Sequence, residues 1–266
     1  MFLRQIFIET RKTFAHPALW IGLGGLSLLL AGFVLVEHAQ IVNSYQPANG
    51  GLERDLIDGL AFYGWIGSLV YAICAAVIVA FDYPDRSIHL WLMRGQTRPT
   101  LLFARLVVVL FVGLLLVFFV VAALLGMASI SRMLFFGQVD VTQMNWAALL
   151  PAVLRVFCGA LPYLMLTALL AVISRSPLFA AGGTVIYATV LEKLLMSQAH
   201  RFPVIVRHLP GSLGWLLQEY NLALDANAVL AVPAMPELRA AAILGLMALA
   251  ISGVTLLIFT RQDLGG

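Results

Sequence analysis

The chain has 266 residues, of which 62% are hydrophobic and 11% are charged, and its mean hydropathy is +0.97. Soluble domains are closer to half apolar and a quarter charged, so this composition excludes a soluble globular domain and indicates a polytopic membrane protein. The net charge of +3 is too small to indicate a nucleic-acid-binding protein. The apolar runs are continuous rather than alternating, which excludes a transmembrane barrel and predicts an all-α fold.

Residues 1–16 predict an amphipathic helix in the plane of the lipid headgroups. On a helical wheel, one side is mostly apolar and the other is charged. The mostly apolar side carries Leu3, Ile6, Phe7, Thr10 and Phe14, and the charged side carries Arg4, Glu9, Arg11 and Lys12. Such a helix buries its apolar side among acyl chains and directs its bases toward anionic lipid. An unstructured basic tail is the alternative for this segment.

Six apolar runs are long enough to cross a bilayer, which takes about 20 residues. They cover residues 17–36, 59–81, 100–125, 147–173, 178–198 and 238–259. Six crossings place both termini on one side of the membrane. The first two segments on that side hold seven bases, whereas the loop between them holds only Arg54. The positive-inside rule therefore predicts a single six-span domain over residues 1–266 in the cytoplasmic (inner) membrane, with both termini in the cytoplasm.

Residues 199–237 form the longest predicted loop, on the extracytoplasmic side. Apolar side chains recur within it at helical spacing, at Leu213, Leu216, Leu217, Tyr220 and Leu224. This helix is too short to span the bilayer. We therefore expect a re-entrant or interfacial helix before the last span.

No enzyme or metal motif occurs in the sequence. Cys74 and Cys158 fall inside apolar runs and are typical of small hydrophobic residues rather than of a disulfide. The histidines are scattered without ligand spacing, and the phosphate-loop, zinc-protease and nucleophile-elbow motifs are missing. We expect no catalytic residue, metal or cofactor in this chain.

Three charged residues lie within the fourth and fifth predicted spans. Arg155 is in the fourth, and Glu192 and Lys193 are near the outer end of the fifth, at comparable depth. Charges inside a membrane are costly and usually face a cavity or each other. The spacing predicts an Arg155–Glu192 pair at the outer end of a substrate path to which Lys193 also belongs. The alternative is that these long side chains reach toward the outer headgroups.

Two segments carry a resemblance to a known family. Residues 92–98, LMRGQTR, follow Asp82 and Asp85 and lead into the third span, and residues 259–264 read FTRQDL. With the lead helix, six spans and short helix before the last span, they resemble an ABC transporter permease of the ABC-2 exporter class over nearly the whole chain. The resemblance implies a dimeric permease, with an identical or different second subunit, and two separate cytoplasmic ATPase subunits that bind ATP and magnesium.

The resemblance also implies that residues 82–100 form a cytoplasmic coupling loop. The residues expected to contact the ATPase are Asp85, Arg86, Leu90, Trp91, Leu92, Arg94 and Arg98. Aromatic and arginine side chains are common anchors of interfaces. Alternatively, these arginines only set the topology. The competing functions are a non-transporting membrane anchor and an ATP-independent carrier, although a carrier usually shows an inverted repeat.

Small residues mark two helix faces that permit close packing. They are Gly22 and Gly25 in the first span, and Ala181, Gly182 and Gly183 in the fifth. Small residues let helices approach closely in a membrane. These faces suit either contact with the second permease subunit or packing within one subunit.

Overall fold

The computed structural model describes residues 2–43, 51–80, 83, 97–139, 144–222 and 235–262. Over these residues the chain is helical and contains no strand. The helices are α1 (Phe2–Ala15), α2 (Pro17–Asn43), α3 (Leu52–Ala80), α4 (Arg98–Phe136), α5 (Trp146–Ser174), α6 (Pro177–Ile186), α7 (Glu192–Ser197), α8 (Pro203–Arg207), α9 (Pro210–Leu222) and α10 (Glu237–Arg261), and a π-helical turn, Tyr187–Leu191, joins α6 to α7. The all-α prediction is confirmed.

The described helices include five segments that are long and apolar enough to cross a membrane. They are Leu19–Val42, Arg98–Phe136, Trp146–Ser174, Pro177–Ser197 and Glu237–Arg261. Helix α3 adds a sixth apolar segment, a broken span or a re-entrant one, whose parts Leu52–Gly64 and Ile66–Ala80 meet at an angle of 59°. The chain is therefore a multi-pass membrane protein, as its composition predicts.

Several helices extend beyond the predicted spans, and the residues after the third predicted span, which were expected to form a loop, stay helical as far as Phe136. Helix α4 has 39 residues, or about 58 Å at 1.5 Å per residue, which exceeds the roughly 30 Å of hydrocarbon. It ends at Gly137, whose φ of 71° is a left-handed conformation that glycine adopts readily. Helix α2 likewise continues to Asn43. Hydropathy marks where the apolar residues stop, whereas backbone hydrogen bonding continues through polar residues.

The centre of the bundle is formed by α3, α4, α5 and α6, with α2 packed on α4 and α10 packed along α5. Close approach of α4 to α5 depends on Gly113, where an added Cβ would lie 2.7 Å from Leu164 Cδ1. Buried leucine, valine and alanine side chains fill the space between these helices. Large apolar side chains on the outside of the bundle, such as Ile21 and Leu28 of α2, are exposed and suited to lipid.

Helix α1 is amphipathic, but a polar stripe on it packs against the bundle. Gln5, Glu9 and Thr13 are buried at four-residue spacing, whereas Leu3 and Phe7 are exposed. Glu9 Oε1 accepts a hydrogen bond from Gln5 Nε2 (3.1 Å) and lies 3.9 Å from Arg105 Nε. Arg105 of α4 is only 1% exposed. The carboxylate therefore joins α1 to α4, because a buried guanidinium requires a nearby anion.

Both ends of the described chain lie at one face of the bundle, named here the terminal face. Arg98 Nη1, at the start of α4, donates to the Gln262 carbonyl oxygen (2.6 Å), which follows α10. Gln262 Nε2 donates to the carbonyl oxygen of Val172 (2.9 Å), at the end of α5. The opposite face, where α4 ends and α5 begins, is named the distal face.

Candidate functional site

A polar and glycine stripe runs along one side of α5. Arg155, Gly159, Tyr163 and Thr167 are spaced by four residues, so they lie on the same face of the helix. They are named here the α5 stripe. The stripe begins near the distal face with Arg155 and passes inward to Thr167, whose hydroxyl donates to Thr184 Oγ1 of α6 (2.9 Å). An internal polar stripe in an apolar bundle is a candidate functional site.

Helix α9 covers the distal half of the α5 stripe. This helix has 13 residues, too few to span a membrane, so the predicted short helix is confirmed. An added Cβ at Gly159 would lie 3.5 Å from Gly214 Cα, so the two backbones touch. Near the distal face, Asn221 Oδ1 accepts a hydrogen bond from Arg155 Nη1 (2.9 Å).

Arg155 pairs with Glu237, and the predicted pairing with Glu192 is wrong. Arg155 Nε lies 2.9 Å from Glu237 Oε1, and its Nη2 lies 3.1 Å from Glu237 Oε2, a two-point contact. Glu237 is the first residue of α10. Glu192 contacts Tyr163 instead, which is two turns farther along α5, or about 12 Å. Counting residues from the ends of the predicted spans had placed Arg155 and Glu192 at comparable depth, although they contact α5 at different levels.

Of the two carboxyl groups that contact the α5 stripe, Glu192 is more enclosed than Glu237, with 1% of its surface exposed. The Tyr163 hydroxyl donates to Glu192 Oε2 (2.5 Å), and the backbone N–H of Gly211 in α9 donates to Glu192 Oε1. Glu192 directly follows the π-helical turn Tyr187–Leu191. A π-helical turn holds one extra residue, which rotates the following residues by about 100° relative to a regular helix. The turn therefore helps to direct Glu192 into the bundle.

The third residue of the predicted substrate path, Lys193, lies on the exposed side of α7. The structure thus brings Arg155 and Glu192 to the same stripe at different depths and leaves Lys193 outside it. Glu237, Asn221 and Tyr163 belong to the site and were not predicted. Four-residue spacing along α5 was the available signal for Tyr163, whereas no local pattern links Glu237 to Arg155.

The predicted coupling residues Asp85, Arg86, Leu90, Trp91, Leu92 and Arg94 lie outside the described residues. Arg98 is described, and it begins α4 at the terminal face. Besides its bond to Gln262, Arg98 Nη1 lies 3.4 Å from the Thr260 carbonyl oxygen. Burial raises the pKa of Tyr83 to about 12, and the positive charges of Arg105 and Arg175 oppose that rise.

A second polar group, named here the distal cluster, consists of His38, Asp55, Ser131 and Arg132. His38 Nδ1 lies 2.6 Å from Ser131 Oγ, and its Nε2 lies 3.2 Å from Asp55 Oδ2. Asp55 also accepts two hydrogen bonds from Arg132, one of them from Nη2 at 2.8 Å. These residues were predicted in loops, and the extended helices α2, α3 and α4 bring them together.

The order Ser131–His38–Asp55 is that of a nucleophilic triad, but the serine has no access to a substrate. Ser131 is 1% exposed and His38 is fully buried. The distal cluster therefore fastens the peripheral helix α2 to α3 and α4. Among the described residues, no group of three or more histidine, cysteine, aspartate or glutamate side chains is arranged to hold a metal ion.

Comparison with known families gives one match. A family model described as "Protein of unknown function (DUF2705)" matches residues 28–206, which is more than half of the chain. No curated protein matches the chain. The matched residues include α3, α4, α5 and the Glu192 carboxylate, and they exclude α9 and α10.

Proposed function

The chain belongs to the DUF2705 family, and we propose that it is the permease subunit of an ATP-driven exporter of the ABC-2 class in the cytoplasmic membrane. In this proposal, separate cytoplasmic ATPase subunits dock at the terminal face. These subunits, and not this chain, bind ATP and magnesium. A second permease subunit completes the transporter. The power for transport comes from the ATPase, because no nucleotide-binding motif occurs in this sequence.

The observation that carries the proposal is the hydrogen bond from Arg98 to Gln262, at 2.6 Å. Arg98 closes the first ABC-2-like segment, residues 92–98, and Gln262 lies in the second, residues 259–264. Arg98 and Gln262 are far apart in sequence but in contact at the terminal face. A force applied to residues 82–100 would therefore act on the start of α4 and the end of α10 together.

Helix α10 provides a connection from that contact to the α5 stripe. Its last residue is next to Gln262, and its first residue, Glu237, pairs with Arg155. The helix has 25 residues, or about 37 Å at 1.5 Å per residue. Movement of α10 as a rigid element would transmit a displacement from the terminal face to the α5 stripe.

The experiment is co-expression of this chain with a candidate ATPase partner. Trp91→Glu together with Arg94→Glu should abolish co-purification, since both residues are expected to anchor the partner. Arg98→Ala should weaken co-purification less than the Trp91/Arg94 pair does and should lower permease-stimulated ATP turnover, because it also releases the end of α10. Arg239→Ala, an exposed arginine at the distal end of α10, is the matched control. Full transport by the isolated chain, or location of residues 82–100 outside the cell, would refute the proposal.

A further inference from the structure

We propose that Glu192 is a positioning residue that holds α9 closed over the α5 stripe, and that α9 is a movable cover. In the exporter proposed above, on which this inference rests, the cover is the distal gate of the substrate path. Closure itself depends only on contacts within this chain. It can therefore be tested without an ATPase.

The contact between α9 and α5 has the features of a separable surface. At its middle, Gly159 faces Gly214 backbone to backbone, so no side chains interlock there. Polar contacts flank this point, with Gly211 bonded to Glu192 and Asn221 bonded to Arg155. Lifting α9 would break these polar contacts without repacking large side chains at the glycine pair.

The apolar side of α9 packs with α10 in a cluster separate from the main core. Leu213, Leu216 and Leu217 of α9 are buried together with Ala240 and Leu244 of α10. The helices around α3, α4 and α5 share a different cluster. Helix α9 and the distal part of α10 therefore form one unit, and a displacement of α10 would carry α9 with it.

Glu192 links this unit to the rest of the bundle, together with the contacts of Arg155 to Asn221 and Glu237. The Glu192 carboxyl group accepts hydrogen bonds from Tyr163 on α5 and from Gly211 on α9. Glu192 itself is the first residue of α7. Glu192 is 1% exposed, and hydrogen bonds in such a low-dielectric interior are stronger than in water, so each bond favours the closed position. An added Cβ at Gly211 would lie 2.8 Å from Glu192 Cδ, which shows how closely α9 sits on this group.

Cys158 is a natural reporter for the cover. It precedes Gly159 on α5 and packs against the cluster shared by α9 and α10. A thiol reacts with maleimides as the thiolate, which forms where water reaches the sulfur. Opening of α9 would therefore increase the modification rate of Cys158. Cys74 is buried in the main core and serves as an internal reference.

The experiment measures N-ethylmaleimide modification of the purified full-length chain in lipid nanodiscs. In a Cys74→Ala background, Glu192→Gln and Glu192→Ala should raise the Cys158 rate by about tenfold or more, because hydrogen bonds to a charged group are lost. Glu219→Gln is the matched control, since Glu219 accepts only from Trp215 of the same helix among the bonds described here. This control should leave the rate unchanged.

The reciprocal background, Cys158→Ala, separates opening of the cover from general loosening. Cys74 modification should stay slow in the Glu192 variants. Equal acceleration at both cysteines, or an unchanged Cys158 rate in Glu192→Gln, would overturn the inference. Failure of the chain to bind an ATPase would refute the exporter proposal while leaving the thiol result intact.

Discussion

Asp55→Asn should destabilise the protein far more than the same change three residues later, at Asp58. Asp55 is buried and accepts two hydrogen bonds from Arg132, whose side chain is 12% exposed. It also lies 3.2 Å from His38 Nε2. Removing its charge leaves the Arg132 guanidinium without the anion that compensates its burial. Three helices, α2, α3 and α4, meet at this point.

The magnitude follows from the burial of both partners. Breaking a buried ion pair by removing one charge costs about 3–5 kcal/mol. Asp58 instead faces Arg54 at 3.5 Å, with 30% and 53% of their side chains exposed. An exposed pair contributes roughly 0.2–1 kcal/mol. For a domain of this size, each kcal/mol lowers Tm by about 2–4 °C, so Asp55→Asn should lower Tm by roughly 6–20 °C and Asp58→Asn by no more than about 4 °C.

The assay is thermal unfolding in a fixed detergent, followed by tryptophan fluorescence. Asp55→Asn combined with Arg132→Met should recover most of the lost Tm, because replacement of both partners of a buried pair is often neutral. Equal losses for Asp55→Asn and Asp58→Asn, or no recovery in the double variant, would refute the role assigned to the distal cluster.

Three other regions of the bundle lead to measurable expectations. Arg155→Gln and Glu237→Gln should each lower Tm, and a double-mutant cycle should show a coupling of roughly 0.5–3 kcal/mol, whereas additive losses would exclude a direct pair. Gly59→Ala should lower the free energy of unfolding by about 1–3 kcal/mol, because the added Cβ would lie 2.6 Å from a leucine side chain of α4. Gly22→Ala, with open space around it, should cost nothing. The same unfolding assay compares the two variants. Glu9→Gln should speed amide hydrogen exchange throughout α1 and leave α10 unchanged, and equal exchange in both proteins would exclude the anchoring role of Glu9.

Local composition and periodicity were enough to predict several of the helices. Continuous apolar runs established the crossings, because an unpaired backbone is too costly in hydrocarbon for any other arrangement. Helical spacing from Leu213 to Tyr220 identified α9, and its length excluded a full crossing. The same reasoning found the amphipathic character of α1. It did not find that the stripe holding Glu9 packs inward on Arg105, since a helical wheel gives the faces of a helix and not its neighbours.

The pairing of polar groups depends on contacts between helices that are distant in sequence. The sequence separation between Arg155 and Glu237 is 82 residues, and that between His38 and Ser131 is 93 residues. Depth along a span can be estimated by counting residues, but lateral neighbours depend on how the helices are arranged around each other. Rotation about a helix axis also cannot be read from regular helical spacing, as the π-helical turn before Glu192 illustrates. The lateral arrangement of the helices and the rotation about each helix axis place Glu192 against Tyr163 and α9, and Arg155 against the start of α10.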